Sequence, residues 1–219
     1  MRKHRSLLLT LLLLLVLIES ESLHLSGTVD PSENFFFFLA KFGFQKTEIL
    51  DKGASQGYIF GNITVQDHSQ DVSVRSFFIV YIIFDQVQIF FLFQNVMTLA
   101  VLDRANFLEY FGNRSLANRQ DACEKMFDKI NGVAYDSNCN DDGEQDFLRS
   151  IPCPRNSLCI EEDNPENVVS KSQFTFKIQD LYQARFWYVS LVACRRNVST
   201  CQWEYVNNES QNNIKYDIR

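Results

Sequence analysis

The sequence predicts an all-β fold, an antiparallel β-sandwich with one or two short helices and a disulfide-stapled loop. Short runs rich in Phe, Ile, Val and Tyr recur along the chain, separated by turn-forming residues. Long stretches of helical period are rare, and nothing alternates strands with helices as a parallel sheet would require. The six cysteines all fall in the second half of the 219 residues, so the first half must be held by packing.

Met1-Arg2-Lys3-His4-Arg5 is a basic head, and Leu7 to Ile18 is an apolar run broken by Thr10. Glu19-Ser20-Glu21-Ser22 turns polar, with small residues at alternate positions. This is the pattern of a secretory signal peptide, residues 1–22, cut after Ser22 or Ser20. The run is too short for a spanning helix, which needs about twenty apolar residues.

Leu23–Val29 alternates weakly, and the Phe-dense Asn34–Phe44 reads as a strand. Asp51–Gly57 is a turn. Tyr58–Val65 is a strand with Ile59, Ile63 and Val65 on one face and Tyr58, Phe60, Asn62 and Thr64 on the other. Phe77–Phe84 reads as a strand buried on both faces. A membrane span over 77–102 would put Asp85 in hydrocarbon, at a cost of about 2.5–3.5 kcal/mol near its centre. Two or three adjacent buried strands account for it better, with Met97–Leu102 the last. Asp103 suits the cap of a short helical turn through Tyr110, and Asp121–Ile130 reads as a short helix. Residues 131–165 form a long stapled loop carrying three cysteines. Gln173–Gln179 is a strand with Phe174, Phe176 and Ile178 on one side. Arg185–Cys194 is a strand whose hairpin partner is Thr200–Val206. One domain covers 23–206, and 207–219 is a polar tail or a last strand at Ile214–Ile218.

With 46% apolar and 14% aromatic residues the chain can bury a core, which excludes intrinsic disorder. A net charge of −6 argues against a nucleic-acid partner, which needs clustered Lys and Arg. In a secreted chain an even number of cysteines reads as a disulfide framework, with fifteen pairings open for Cys123, Cys139, Cys153, Cys159, Cys194 and Cys201. Spacing alone favours Cys194 with Cys201, and Cys153 with Cys159 as a local staple. Zinc ligation is the weaker reading, since there is no C-x-x-C and only His24 and His68 outlast the signal. Asn62, Asn113, Asn197 and Asn208 each head an N-x-S/T sequon and are candidate glycosylation sites.

Gly53-Ala-Ser55-Gln-Gly57 matches the serine-hydrolase elbow, but a strand and not a helix follows, and the downstream histidine is only thirteen residues away at His68. A small-residue turn explains the same letters. Asn138-x-Asn140-x-Asp142-Gly143 resembles the start of a calcium loop, yet its closing glutamate position holds Arg149 and Cys139 lies inside it. Glu161-Glu162-Asp163 reads as solvated loop charge. No catalytic residue, metal or cofactor is expected from these. Trp187, Tyr188, Trp203 and Tyr205 are expected on facing strands, either as core and cross-strand packing or as a ligand or partner surface.

The stretch TLAVLDRANFLEYF followed by DAC, and SQFTFKIQDLYQARFWYVSLVAC followed by QWEYV, resemble the luminal domain of the intimal-thickness-related receptor family, which includes G protein-coupled receptor 180 and transmembrane protein 145. LSGTVDPSENFFFFLAKFGF and YIFGNIT are similar to the first strands of that domain. The resemblance covers most of residues 23–206. It implies a β-sandwich of the Golgi-dynamics (GOLD-like) type, a non-enzymatic luminal or extracellular domain binding an unknown protein or glycan ligand, and a role in receptor signalling or secretory traffic. Family members continue into seven membrane helices, whereas the sequence here ends at Arg219, implying a truncated form or a free secreted paralogue. A freestanding adhesion or lectin-like sandwich is the alternative. Against the spacing argument, the resemblance also implies Cys123 with Cys194, and with the Cys153–Cys159 staple that pairing leaves Cys139 with Cys201. Gly43 stands where some relatives carry a cysteine.

Overall fold

The structure is a computed structural model that describes residues 23–44, 57–66, 79–83, 86–90, 97–178, 185–207 and 213–219. Two four-stranded antiparallel sheets pack face to face. One has the order β1–β12–β3–β8, formed by β1 (Leu25–Val29), β3 (Gly57–Val65), β8 (Phe174–Ile178) and β12 (Ile214–Ile218). The other has the order β2–β9–β6–β7, formed by β2 (Phe36–Phe44), β6 (Met97–Asp103), β7 (Leu148–Ile151) and β9 (Arg185–Val192). Ile59, Ile63, Ile214 and Ile218 of the first sheet join Leu99, Val101, Val189 and Leu191 of the second in one buried cluster. This is the predicted β-sandwich.

Helix α1 (Arg104–Asn113) lies over β6 and β9, and α2 (Arg119–Asn131) packs on α1 and on β11 (Trp203–Tyr205). Both helices start where the sequence supplies a cap. The Asp103 carboxylate accepts from the Asn106 amide, and the Asn118 side chain accepts from that of Gln120. With a sheet on one side and helices on the other, every residue of β6 is buried. The strand covered on both faces is therefore Met97–Asp103.

The apolar stretch before it behaves differently. β4 (Ile79–Ile83) and β5 (Gln86–Phe90) pair with each other, and among the described residues with no strand of either sheet. The expected burial of Phe77–Phe84 on both faces lies outside the described residues, as do the turn residues 51–56 and the signal segment 1–22. Among the described residues no helix is long and apolar enough to cross a membrane.

Two expectations need correction. Trp203–Tyr205 pairs not with β9 but with β10 (Cys194–Arg196), the chain's continuation past Ala193. The 131–165 loop contains a strand, β7, hydrogen-bonded to β6. Of the two readings of the C-terminal residues the last strand holds: Ile214–Ile218 is a strand, and it sits between β1 and β3, inside a sheet. Gly61 permits that placement, because a Cβ there would run into the Asp217 carbonyl of β12.

Disulfides join Cys123 to Cys194, Cys139 to Cys201 and Cys153 to Cys159. The pairing implied by the resemblance thus holds, and the Cys194–Cys201 pairing favoured by spacing does not. Cys123 comes from the buried face of α2, so its bridge ties the helical layer to the end of β9 and β10.

Candidate functional site

A β-bulge in β2 builds the most distinctive surface. Phe38 stands opposite Ser190, but Ala40 is opposite Val189, so Leu39 is an extra residue. The extra residue reverses which side chains face out. Phe36 and Phe38 point to the helical side. Beyond the bulge Lys41 does so, opposite Tyr188, and Gly43, opposite Phe186. Ala40 and Phe42 turn inward.

The helices cover only part of this outer face. Phe38 and Phe186 are each 49% exposed. Tyr188 is partly buried, its ring stacked on Phe107 of α1 at 4.2 Å with an interplanar angle of 7°. The Lys41 ammonium lies 4.2 Å from the Phe186 ring centroid and 5.6 Å from that of Tyr188. Further along β2 the Arg114 guanidinium sits 3.3 Å from the Phe111 ring, and that of Arg119 sits 4.7 Å from Phe35. Tyr205 lies 5.8 Å from Phe35 at the same end. The result is a strip of aromatic rings carrying three cations.

The structure divides the four aromatics expected to act together. Trp187 is buried between the sheets, its indole nitrogen without a hydrogen-bond partner among the described residues. Trp203 is buried against Phe127, ring on ring at 3.6 Å, and its Nε1 donates to Asn131 Oδ1 at 2.7 Å. These two are core. Tyr188 and Tyr205 border the strip but lie on β9 and β11, which do not pair. Sequence reasoning passes over Phe38, Lys41 and Phe186. For Phe38 alone a partial signal exists: β2 carries Phe at both parities, so a period-two strand with one buried face must expose some of them.

Between the sheets lies an apolar cleft of about 230 Å³, lined chiefly by Leu25, Phe42, Tyr58, Ile59, Val189 and Ile218, with Arg219 its one charged neighbour. Its lining offers no nucleophile–base pair. Ser55 and His68, the residues of the elbow reading, lie outside the described residues.

The acidic motifs have structural work. Asn140 donates from its side-chain amide to the carbonyls of Asn131 and Ala134 at the end of α2. Asp136 accepts from the Asn138 amide and pairs with Arg196 at 3.1 Å. Gly143 is required because a Cβ would strike the Ala134 carbonyl. Among the described residues no three His, Cys, Asp or Glu are grouped as metal ligands. Glu161 and Glu162 are not solvated loop charge. Glu162 pairs with Arg149 Nε at 2.7 Å, with 6% of its side chain exposed. Burial pushes the Glu161 carboxyl above its ordinary pKa, and outweighs the Ser150 side chain and amide, the nearby Arg149 charge and the residue's own amide, which all favour the carboxylate.

The three described sequon asparagines are partly buried and each donates from Nδ2. Asn62 donates to Lys171 O at 3.3 Å, Asn113 to Lys125 O at 3.0 Å, and Asn197 to Glu204 Oε1 at 2.8 Å. The bond from Asn197, with the Arg195 contact, holds the Glu204 carboxyl below its usual range. Asn208 lies outside the described residues, as do Ser20 and Ser22.

No protein-family model, no curated protein and no solved structure matches this chain.

Proposed function

We propose that this chain is a non-enzymatic binding module of the secretory lumen or cell exterior, and that it engages its partner through the outer face of the β2–β9 half-sheet. The observation that carries the reading is the pair of half-exposed rings, Phe38 and Phe186, flanking Lys41 and Tyr188 on a rigid sheet. Exposed contiguous aromatics on an otherwise well-packed domain mark interaction sites. Three disulfides fit an oxidising compartment. The sequence resemblance supports the more specific reading, a GOLD-like luminal domain of the G protein-coupled receptor 180 and transmembrane protein 145 type.

The test uses the full chain, expressed through the secretory route and fluorescently labelled. Binding to intact cells is compared for the unaltered protein, the double variant Phe38→Ser/Phe186→Ser, and a control changed at two exposed residues elsewhere, Ile160→Ser/Val198→Ser. Loss in the first variant alone, with unchanged thermal midpoints, is expected. Equal binding by all three proteins refutes the assignment of this face.

A further inference from the structure

We propose that the free edge of β2 takes up an extended acidic polypeptide segment, which adds to the sheet as a new strand. The inference rests on the reading of this face as the binding surface and names the chemistry of its partner.

The first ground is the edge itself. β2 ends its sheet, and among the described residues no strand pairs with its outer side. An edge of this kind presents alternate unpaired N–H and C=O groups, the ladder that an added strand completes. Proteins blunt such edges with bulges and lysines. Here both devices sit at Leu39–Lys41, leaving the Phe35–Phe38 run without either.

The second ground is charge. The chain carries a net −6, yet Lys41, Arg114 and Arg119 line this strip, and among the described residues none pairs with a carboxylate. Arg114 and Arg119 donate only to the carbonyls of Phe111 and Arg114. Each cation instead lies over a ring, which holds it in place and leaves its other side to an incoming anion. Backbone pairing is open along Phe35–Phe38, about 10 Å of strand, and the segment must reach about as far again to meet Lys41, so about six of its residues are in contact. Backbone pairing favours a polypeptide over a sulfated polysaccharide, which has no such ladder to offer.

The test begins with a displayed library of random eight-residue segments selected on the purified full chain. The winners are then resynthesised with N-methyl groups at alternate amides. Expected are winners enriched in Asp and Glu, loss of binding when one parity of amides is methylated, and about tenfold weaker binding to Lys41→Glu/Arg119→Glu. Circular dichroism and the thermal midpoint establish that this variant is folded. No enrichment, winners without acidic residues, indifference to methylation, or tighter binding of a heparin hexasaccharide overturns the proposal. Non-acidic winners that still fail on Phe38→Ser/Phe186→Ser would leave the binding face standing and remove only this inference. Cell binding that ignores those two rings would remove the face as well.

Discussion

Replacing Arg149 by Met tests how the two sheets are locked at their far edge. Arg149 comes from β7, and its side chain is only 2% exposed. It contacts Asp146 through both terminal nitrogens and Glu162 through Nε. It also donates to the carbonyls of Leu148 and of Thr175 in β8, and lies 4.4 Å from the Phe176 ring. Burial disfavours the guanidinium charge, but Asp146 and Glu162 outweigh it and hold the group protonated beyond its ordinary range. Methionine keeps the alkyl length and removes the charge. Asp146 is 50% exposed and returns to water at little cost. Glu162 cannot, and an abandoned buried charge costs about 3–5 kcal/mol. With a urea slope near 2 kcal/mol/M, the unfolding midpoint should fall by about 2 M. Arg149→Met/Glu162→Gln should regain most of that loss, because the glutamine is neutral and its carbonyl can still accept from the Thr175 amide, as Glu162 does at 2.9 Å. A single variant within about 1 kcal/mol of the unaltered protein, or a double variant no better than the single, would refute the clamp.

The other predictions concern the bridges, the buried carboxyl and the helical layer. Loop-closure entropy ranks the disulfides: replacing Cys123 and Cys194, 71 residues apart, should cost about 4 kcal/mol, and Cys153 with Cys159, 6 apart, about 2 kcal/mol, by urea unfolding. Glu161→Gln should stabilise the protein at neutral pH. A carboxyl whose folded pKa is raised favours the folded state below its unfolded value, and that contribution is lost as pH rises through the folded one. The gain over the unaltered protein, followed by thermal midpoint, should therefore vanish as pH falls below the usual carboxylate range, and a pH-independent difference would contradict this. Trp203→Ala removes the ring stacked on Phe127 and the bond to Asn131, and should cost about 3–5 kcal/mol with parallel loss of helical and near-ultraviolet signals.

Local chemistry was legible in the sequence where it depends on neighbours in the chain. The alternation of Tyr58–Val65 gives the observed faces of β3, and Asp103 caps α1 because a short carboxylate before an apolar pattern can reach the next turn. Strand order was not legible. Ile214–Ile218 reads as a strand, but only pairing with β1 and β3, far away in sequence, puts it inside a sheet. β7 escapes notice because four residues with Arg149 among them do not look like a strand, and the arginine is buried only because Glu162 and Asp146 come back to meet it. The acidic letters of 161–163 are likewise ambiguous until their partner is placed.

The candidate surface fails to show in the sequence for a more specific reason. Read with a strict period of two, Phe36, Phe38, Ala40 and Phe42 share one face, and Lys41 falls on the other with Leu39. One unpaired residue at Leu39 exchanges these assignments over the second half of the strand. It carries Phe42 into the space between the sheets, where it lines the cleft, and brings Lys41 out over Phe186. Nothing within β2 marks the bulge. It is fixed by β9, whose Val189 must stay inward beside Ile59 while Tyr188 stays outward against Phe107. The proposed binding face is thus a product of register between strands about 150 residues apart, and deleting Leu39 should remove the bulge while leaving Ala40 opposite Val189 and Lys41 opposite Tyr188, so that Lys41 stays outward and Phe42 inward. A Leu39 deletion that buried Lys41 or exposed Phe42 would show that pairing with β9 does not set the faces of this half-strand.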